Sequence, residues 1–273
     1  MGLFWLTPTR GYSQLINQPL NVGGSQPFLN PQLIKEMGIR EMHGKIYTKR
    51  PSDLIRNTDG FIDYKFDSLG NTTYTLTYVP HHSFKDSIAH VFQYDEHYLT
   101  DHRTERNTDY SIEQFEYLNG KLINSEERIG LKRSQEEVTT HSLVYDYINQ
   151  SNQELITIGY QGGNRYQEVV LSYDSINRIS SKQIKEYLTG LIKTTTYTYN
   201  DTNQLEEIEF IDEVGEITST HIEYESTREI RAIKTYTNRK LTSENQLIYS
   251  NRQLSSILML NHQTQLMEII RFD

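Results

Sequence analysis

Tyr173-Asp174-Ser175-Ile176-Asn177-Arg178-Ile179 reads as the end of one strand, a turn and the start of the next. The Asp174 carboxylate can accept backbone N–H bonds across the turn. Asn177 tolerates the positive φ such a loop needs, and Ile179 returns the chain to the sheet. Phe66-Asp67-Ser68-Leu69-Gly70-Asn71 repeats the order with glycine, and Tyr199-Asn200-Asp201-Thr202-Asn203-Gln204-Leu205 repeats it with asparagine twice. The aromatic is itself periodic. Tyr94, Tyr117, Tyr145, Tyr173, Tyr199, Tyr224, Tyr249 and Phe272 follow one another at intervals of 23 to 28 residues. Leu99, Leu122, Ile179, Leu205, Ile230 and Leu254 come five or six residues behind six of them. A period of this kind marks a stack of one supersecondary unit.

Turn signals fall about every 12 residues, the spacing of short strands in series: Leu69-Gly70-Asn71, Asn119-Gly120-Lys121, Gly162-Gly163-Asn164, Thr189-Gly190 and Val214-Gly215. Strands so close together leave no room for crossover helices, so neighbours must be antiparallel. Thr195, Tyr197 and Tyr199 share one strand face, as do Ile208 with Phe210 and Ile222 with Tyr224. The expected fold is all-β, an extended, twisted antiparallel meander of about fifteen strands. Each repeat is two strands and two turns, with the tyrosines forming a ladder whose rings are packed and whose hydroxyls stay wet. One helix is expected over about residues 31–37, capped by Asn30, opened by Pro31 and closed by Gly38, and covering the first edge of the sheet. Residues 1–13 read as the tail of a signal peptide, 14–60 as an irregular lead-in with that helix and the first strand, and 61–273 as the repeat array.

Hydrophobic residues make up 36% of the 273, too few for a thick core, yet 20 tyrosines and many Thr and Ile keep β-propensity high and exclude disorder. Net charge is −9, with residues 61–273 carrying 20 Lys/Arg against 32 Asp/Glu. So negative a surface repels phosphate backbones and argues against nucleic-acid binding. No apolar stretch is long enough for a membrane-spanning helix. The chain has no cysteine, which excludes a disulfide scaffold and thiolate metal sites. Leu3-Phe4-Trp5-Leu6 followed by Gly11-Tyr12-Ser13 resembles a leader cut ahead of Gln14, so export to the periplasm or cell surface is expected.

Tyr94-Asp95, Tyr145-Asp146, Tyr173-Asp174 and the related Phe66-Asp67 resemble the YD repeats of the RHS family, whose unit is Tyr-Asp, a short turn, Gly or Asn, a basic or polar residue, then Leu or Ile. The resemblance covers about three-quarters of the chain. It implies a bacterial cell-envelope or secreted β protein. Large members wrap a toxin domain in a β cocoon; this chain carries the repeat without a recognisable C-terminal effector, which implies a small envelope protein of the same repeat stock.

Five of the nine histidines lie between His81 and His102: His81, His82, His90, His97 and His102, interleaved with Asp86, Asp95 and Asp101. Imidazole with carboxylate is zinc or copper chemistry, but no spacing here converges three ligands, so neither metal nor cofactor is expected. Adjacent pairs such as Glu126-Glu127 and Glu206-Glu207 point to opposite faces of a strand and cannot act together as acid and base. No nucleophile elbow, phosphate loop or dinucleotide fingerprint is present. Tyr197, Tyr199, Tyr224 and Tyr249 are the candidate binding residues, since flat rings offer apolar area to a saccharide or peptide. The expected function is non-enzymatic: interaction or scaffolding with another envelope protein. The alternatives are a half-barrel carrier of a lipid or other apolar ligand, and an accessory or plug subunit of an outer-membrane assembly. Thr195-Tyr197-Tyr199 and Leu205-Glu207-Glu209-Ile211, taken as strand faces, look too mixed for a carrier.

Overall fold

The computed structural model describes residues 29, 31–80, 85–96, 98–134, 136–225 and 229–273, for 85 and 86 the backbone alone. The expected leader and the Asn30 cap lie outside these residues. A short helix α1 (Pro31–Glu36) precedes eighteen strands. They are β1 (Glu41–Lys49), β2 (Arg56–Phe66), β3 (Thr72–Pro80), β4 (Lys85–Asp95), β5 (Tyr98–Glu105) and β6 (Asp109–Leu118). Then come β7 (Lys121–Leu131), β8 (Glu137–Gln150), β9 (Gln153–Tyr160), β10 (Arg165–Tyr173), β11 (Ile179–Glu186) and β12 (Ile192–Tyr199). The last six are β13 (Leu205–Ile211), β14 (Ile217–Tyr224), β15 (Ile230–Thr237), β16 (Lys240–Ser250), β17 (Gln253–Asn261) and β18 (Leu266–Phe272).

Every strand pairs antiparallel with the next, and β18 pairs back onto β1 through Gly44↔Phe272, Ile46↔Ile270 and Thr48↔Glu268. The meander is therefore a closed barrel. This corrects both the expected open, extended sheet of about fifteen strands and the half-barrel alternative. Closure satisfies the backbone groups that two free edges would expose. It also removes the edge that α1 was expected to cover. Instead Ile34 packs with Met42, Tyr64, Leu247 and Ile257, and Leu29 joins the same cluster. The left-handed Gly38 (φ +66°) ends the helix as expected. Gly70 (φ +85°) makes room for it: a Cβ there would lie 2.0 Å from the Pro31 carbonyl oxygen.

Seven of the hairpins whose turns share one end of the sheet carry the same irregularity. The register shifts at Phe66, Tyr94, Tyr117, Tyr173, Tyr199, Tyr224 and Tyr249, each the last or second-last residue of its strand. At each, one extra residue on the following strand is skipped. Between Tyr199↔Leu205 and Thr198↔Glu207 that residue is Glu206. Where the skipped residue is Ser or Thr, its hydroxyl bonds the nearby carbonyl of the strand before: Thr73 to Lys65, Thr100 to Gln93, Ser180 to Ser172 and Ser255 to Ile248. A bulge reverses the alternation of faces beyond it. Both the aromatic and the aliphatic residue of every repeat thus point to one side.

That side is the inside. Following the pairings around the ring returns each face to itself, and Ile257, Leu205, Ile270, Val169, Leu171 and Tyr197 all fall on one face with at most 7% exposure. Side chains on the convex wall of a barrel splay apart and stay accessible, so a face this covered is the concave one. The outer wall carries Asp63, Asp101, Arg103, Glu126, Arg128, Glu168, Glu207, Glu223 and Lys234 in mid-strand. Several are paired across strands, such as Lys234 with Glu223 at 2.6 Å and Arg128 with Glu137 at 3.2 Å. At about 2–4 kcal/mol for each such cation at a lipid midplane, this wall suits water and not hydrocarbon. Among the described residues no helix is long and apolar enough to cross a membrane.

Candidate functional site: the inner wall

Eighteen strands about 4.8 Å apart make a wall about 86 Å around, or about 27 Å across if circular. Closed sheets of that strand number enclose a lumen. The buried residues lie along this wall. They form three clusters, on β1–β2 and β15–β18 with α1, on β8–β13, and on β4–β6, and each holds neighbouring strands only. Among the described residues none of the three reaches across to the opposite wall.

The turns after Phe66, Tyr94, Tyr117, Tyr173, Tyr199, Tyr224 and Tyr249 all lie at one rim, because alternate turns of a meander share an end. Tyr145-Asp146, expected to start such a turn, lies instead within β8, whose strand runs on to Gln150. The rings of Tyr94, Tyr117, Tyr147, Tyr173, Tyr199, Tyr224 and Tyr249 therefore form a girdle just inside it. The ladder is held by hydroxyls bonded to the preceding repeat. Tyr147 donates to the Leu122 carbonyl (2.8 Å), Tyr199 to Ile179 (2.9 Å) and Tyr224 to Leu205 (2.7 Å). Tyr249 bonds the Ile230 main chain in the same way. These hydroxyls were expected to be wet; they are instead the links between repeats, each contributing about 1 kcal/mol net. Burial pushes Tyr117, Tyr147, Tyr173, Tyr197 and Tyr249 up to about 12. The four candidate binding tyrosines are thus all on the inner wall. Tyr197 differs from the others: it is 6% exposed and, among the described residues, its hydroxyl has no partner.

His90 and His102 are brought together, which the sequence spacing did not suggest. Glu113 Oε2 accepts from His102 Nδ1 at 2.7 Å, leaving Nε2 to accept from His90 Nδ1 at 3.1 Å. The Thr104 hydroxyl lies 3.1 Å from the same His90 nitrogen. Burial, then the neighbouring His102 and Arg106, lower His90 to about 4, so it is neutral at physiological pH. Glu127 faces Glu113 across the β6–β7 pair, and His141 Nδ1 is 3.4 Å from Glu127. The result is a polar row, His90-His102-Glu113-Glu127-His141, along the inner wall of β4–β8. Among the described residues no three His, Asp or Glu side chains are grouped to hold a metal ion. His81, His82 and His97 lie outside the described residues. Nothing in the sequence could have singled out Glu113, Glu127 or His141, since register alone places them side by side.

Lys182 was also missed. It sits on the inner wall between Leu171 and Thr195, and burial alone lowers its pKa. Among the described residues it has neither hydrogen bond nor ion pair. The mixed face that argued against a carrier dissolves here too. The bulge at Glu206 puts Leu205 inside with Tyr199, while Glu207, Glu209 and Ile211 face outward.

No family model matches the chain, and no curated protein matches it in sequence. Among solved structures, a porin-like protein from Bacteroides uniformis aligns over 85% of this chain and 96% of its own, at 9% identity and a TM-score of 0.41. A porin-like protein from Bacteroides vulgatus aligns over 84% and 96%, at 13% identity and a TM-score of 0.34. A TcdB2-TccC3-Cdc42 structure aligns over 77% of this chain and 12% of its own, at 13% identity and a TM-score of 0.30. At such identities and TM-scores, nothing about substrate, partner or activity passes from these proteins to this one.

Proposed function

We propose that the protein is a non-enzymatic binding protein of the bacterial envelope that holds an apolar guest against the inner wall of its barrel. The observation that carries this is the division of the walls: all three buried apolar clusters lie on the inner wall, beside one polar row, while most mid-strand ion pairs lie outside, and among the described residues each cluster keeps to neighbouring strands. A barrel that needed only to be stable would fill its middle with side chains, as eight-stranded barrels do. Concave, mostly apolar surfaces with few polar groups are where small molecules bind. The location rests on the Leu3–Ser13 segment, and the YD-like repeat, seven bulged hairpins with an aromatic at each, supports common stock with RHS proteins. The scaffolding reading rests on the ionic outer wall and hairpin tips, which offer surface but no concavity.

An uncharged fluorescent probe such as N-phenyl-1-naphthylamine should bind saturably, with a blue-shifted emission displaced by 1-dodecanol. Ile184→Gln, on the inner wall, should weaken the probe about tenfold, the scale of one or two lost apolar contacts. Gln183→Glu, on the outer wall, should leave it unchanged. Emission that rises linearly without saturation, or responds equally to both substitutions, would remove the lumen from the account.

A further inference from the structure

We infer that Lys182 and Tyr197 seat the head group of a single-tailed fatty carboxylate whose chain lies in the lumen. The inference deepens the proposed function and rests on it. Lys182 lies on β11 and faces Leu171 on β10 and Thr195 on β12. Tyr197 is two residues beyond Thr195 on the same wall. Diagonal neighbours of this kind are about 7–8 Å apart at Cα, within reach of long side chains. Both carry donors that the protein leaves unanswered. Among the described residues the Tyr197 hydroxyl is buried without a partner, although the neighbouring tyrosines bond carbonyls. Lys182, among the described residues, has no carboxylate across either strand pair, where Leu171 and Thr195 face it. Glu154, two strands away in the same row, is engaged by Lys121 and by the Tyr173 hydroxyl at 3.3 Å.

A buried polar group without a partner is destabilising, and a half-buried cation without a counter-charge adds to the cost. Two such groups together on a lumen wall therefore point to an absent acceptor. One ammonium and one phenol supply one positive charge and two separate donors, which match the single charge and two oxygens of a carboxylate. Ile184, Ile208 and Phe210 continue the same wall and suit an alkyl chain. The carboxylates on the inner wall of β6 and β7, Glu113 and Glu127, disfavour an anionic head there and so orient the ligand.

Calorimetry with dodecanoate, 1-dodecanol and dodecyltrimethylammonium, all below their micelle concentrations, tests this on the full chain. Dodecanoate should bind the wild type at least tenfold tighter than dodecanol, with the cationic amphiphile weakest. Lys182→Met should bring dodecanoate down to the level of dodecanol, Tyr197→Phe should weaken it about threefold, and Lys182→Arg should retain it within about threefold. Lys182→Met should also melt higher than wild type without ligand, because it removes an unpaired charge, so a loss of binding will not be a loss of fold. Equal dodecanoate affinity in wild type and Lys182→Met, with dodecanol still bound, would overturn the head-group site and leave the lumen reading intact. Failure of both dodecanoate and dodecanol to bind would overturn both.

Discussion

Between pH 10 and 12 the barrel should unfold in one step, with tyrosinate absorbance appearing as β ellipticity is lost. Burial raises Tyr117, Tyr147, Tyr173, Tyr197 and Tyr249 to about 12, and raises Tyr64 and Tyr94 as well. An unfolded tyrosine ionises near pH 10. A folded-state value above the unfolded one gives stability that is whole below pH 10 and is lost as pH rises toward the folded value. Each such tyrosine therefore removes up to about 1.4 kcal/mol per pH unit in that window. Tyr147 and Tyr173, the more solvent-screened of the seven, contribute less than the deeply buried Tyr64 and Tyr94, but all seven act in the same direction across the window. Lys182 opposes them, because its lowered pKa makes the fold more stable as pH rises, but it is one group against seven. A spectrophotometric titration in which most tyrosines ionise near pH 10 while the sheet persists would mean the girdle is open to water.

Gly44→Val should destabilise the barrel more than any conservative outer-wall change. Gly44 is the inner-face residue of β1 where the two ends of the chain meet, paired to Phe272 on one side and Ile62 on the other. A Cβ there would lie 2.6 Å from Ile270 Cγ2, 2.9 Å from Phe272 Cε1 and 3.0 Å from Ile62 Cγ2. The branched methyls of isoleucine sit close to the backbone and cannot swing away, so the strands must part. Overpacking of this kind costs about 1–3 kcal/mol for small additions, and valine adds further atoms at a seam. Glu207→Gln, on the outer wall, should stay within about 0.5 kcal/mol. Denaturant midpoints that coincide for Gly44→Val and wild type would show that β1 does not sit between β18 and β2.

The hairpins were legible because their turn chemistry is local. Asp174 accepts from the backbone N–H groups of Ile176 and Arg178, Asp67 from Leu69 and Asn71, and Asn177 has φ +66° as its position required. Strands were undercounted where turns take positive φ without glycine, as at Glu96, Ser151, Asn238-Arg239 and Asn251-Arg252. Faces were misread across bulges, because period-two reasoning assumes an unbroken register and Glu206 breaks it. Closure was not legible, since β1 and β18 are joined by a pairing between residues more than 200 positions apart, which no period announces. For the same reason the polar row and Lys182 were invisible: their chemistry comes from neighbours on other strands.

The central claim is that β18 returns to β1, and a distance across that seam tests it most directly. The chain has no cysteine, so spin labels can be placed alone at Lys45→Cys and Arg271→Cys, which face each other on the outer wall. Electron paramagnetic resonance should find the labels within about 20 Å, the cross-strand spacing plus two label arms. An open sheet of the same eighteen strands would hold its edges about 80 Å apart, and a distribution centred beyond about 40 Å would contradict the closed barrel and the lumen with it.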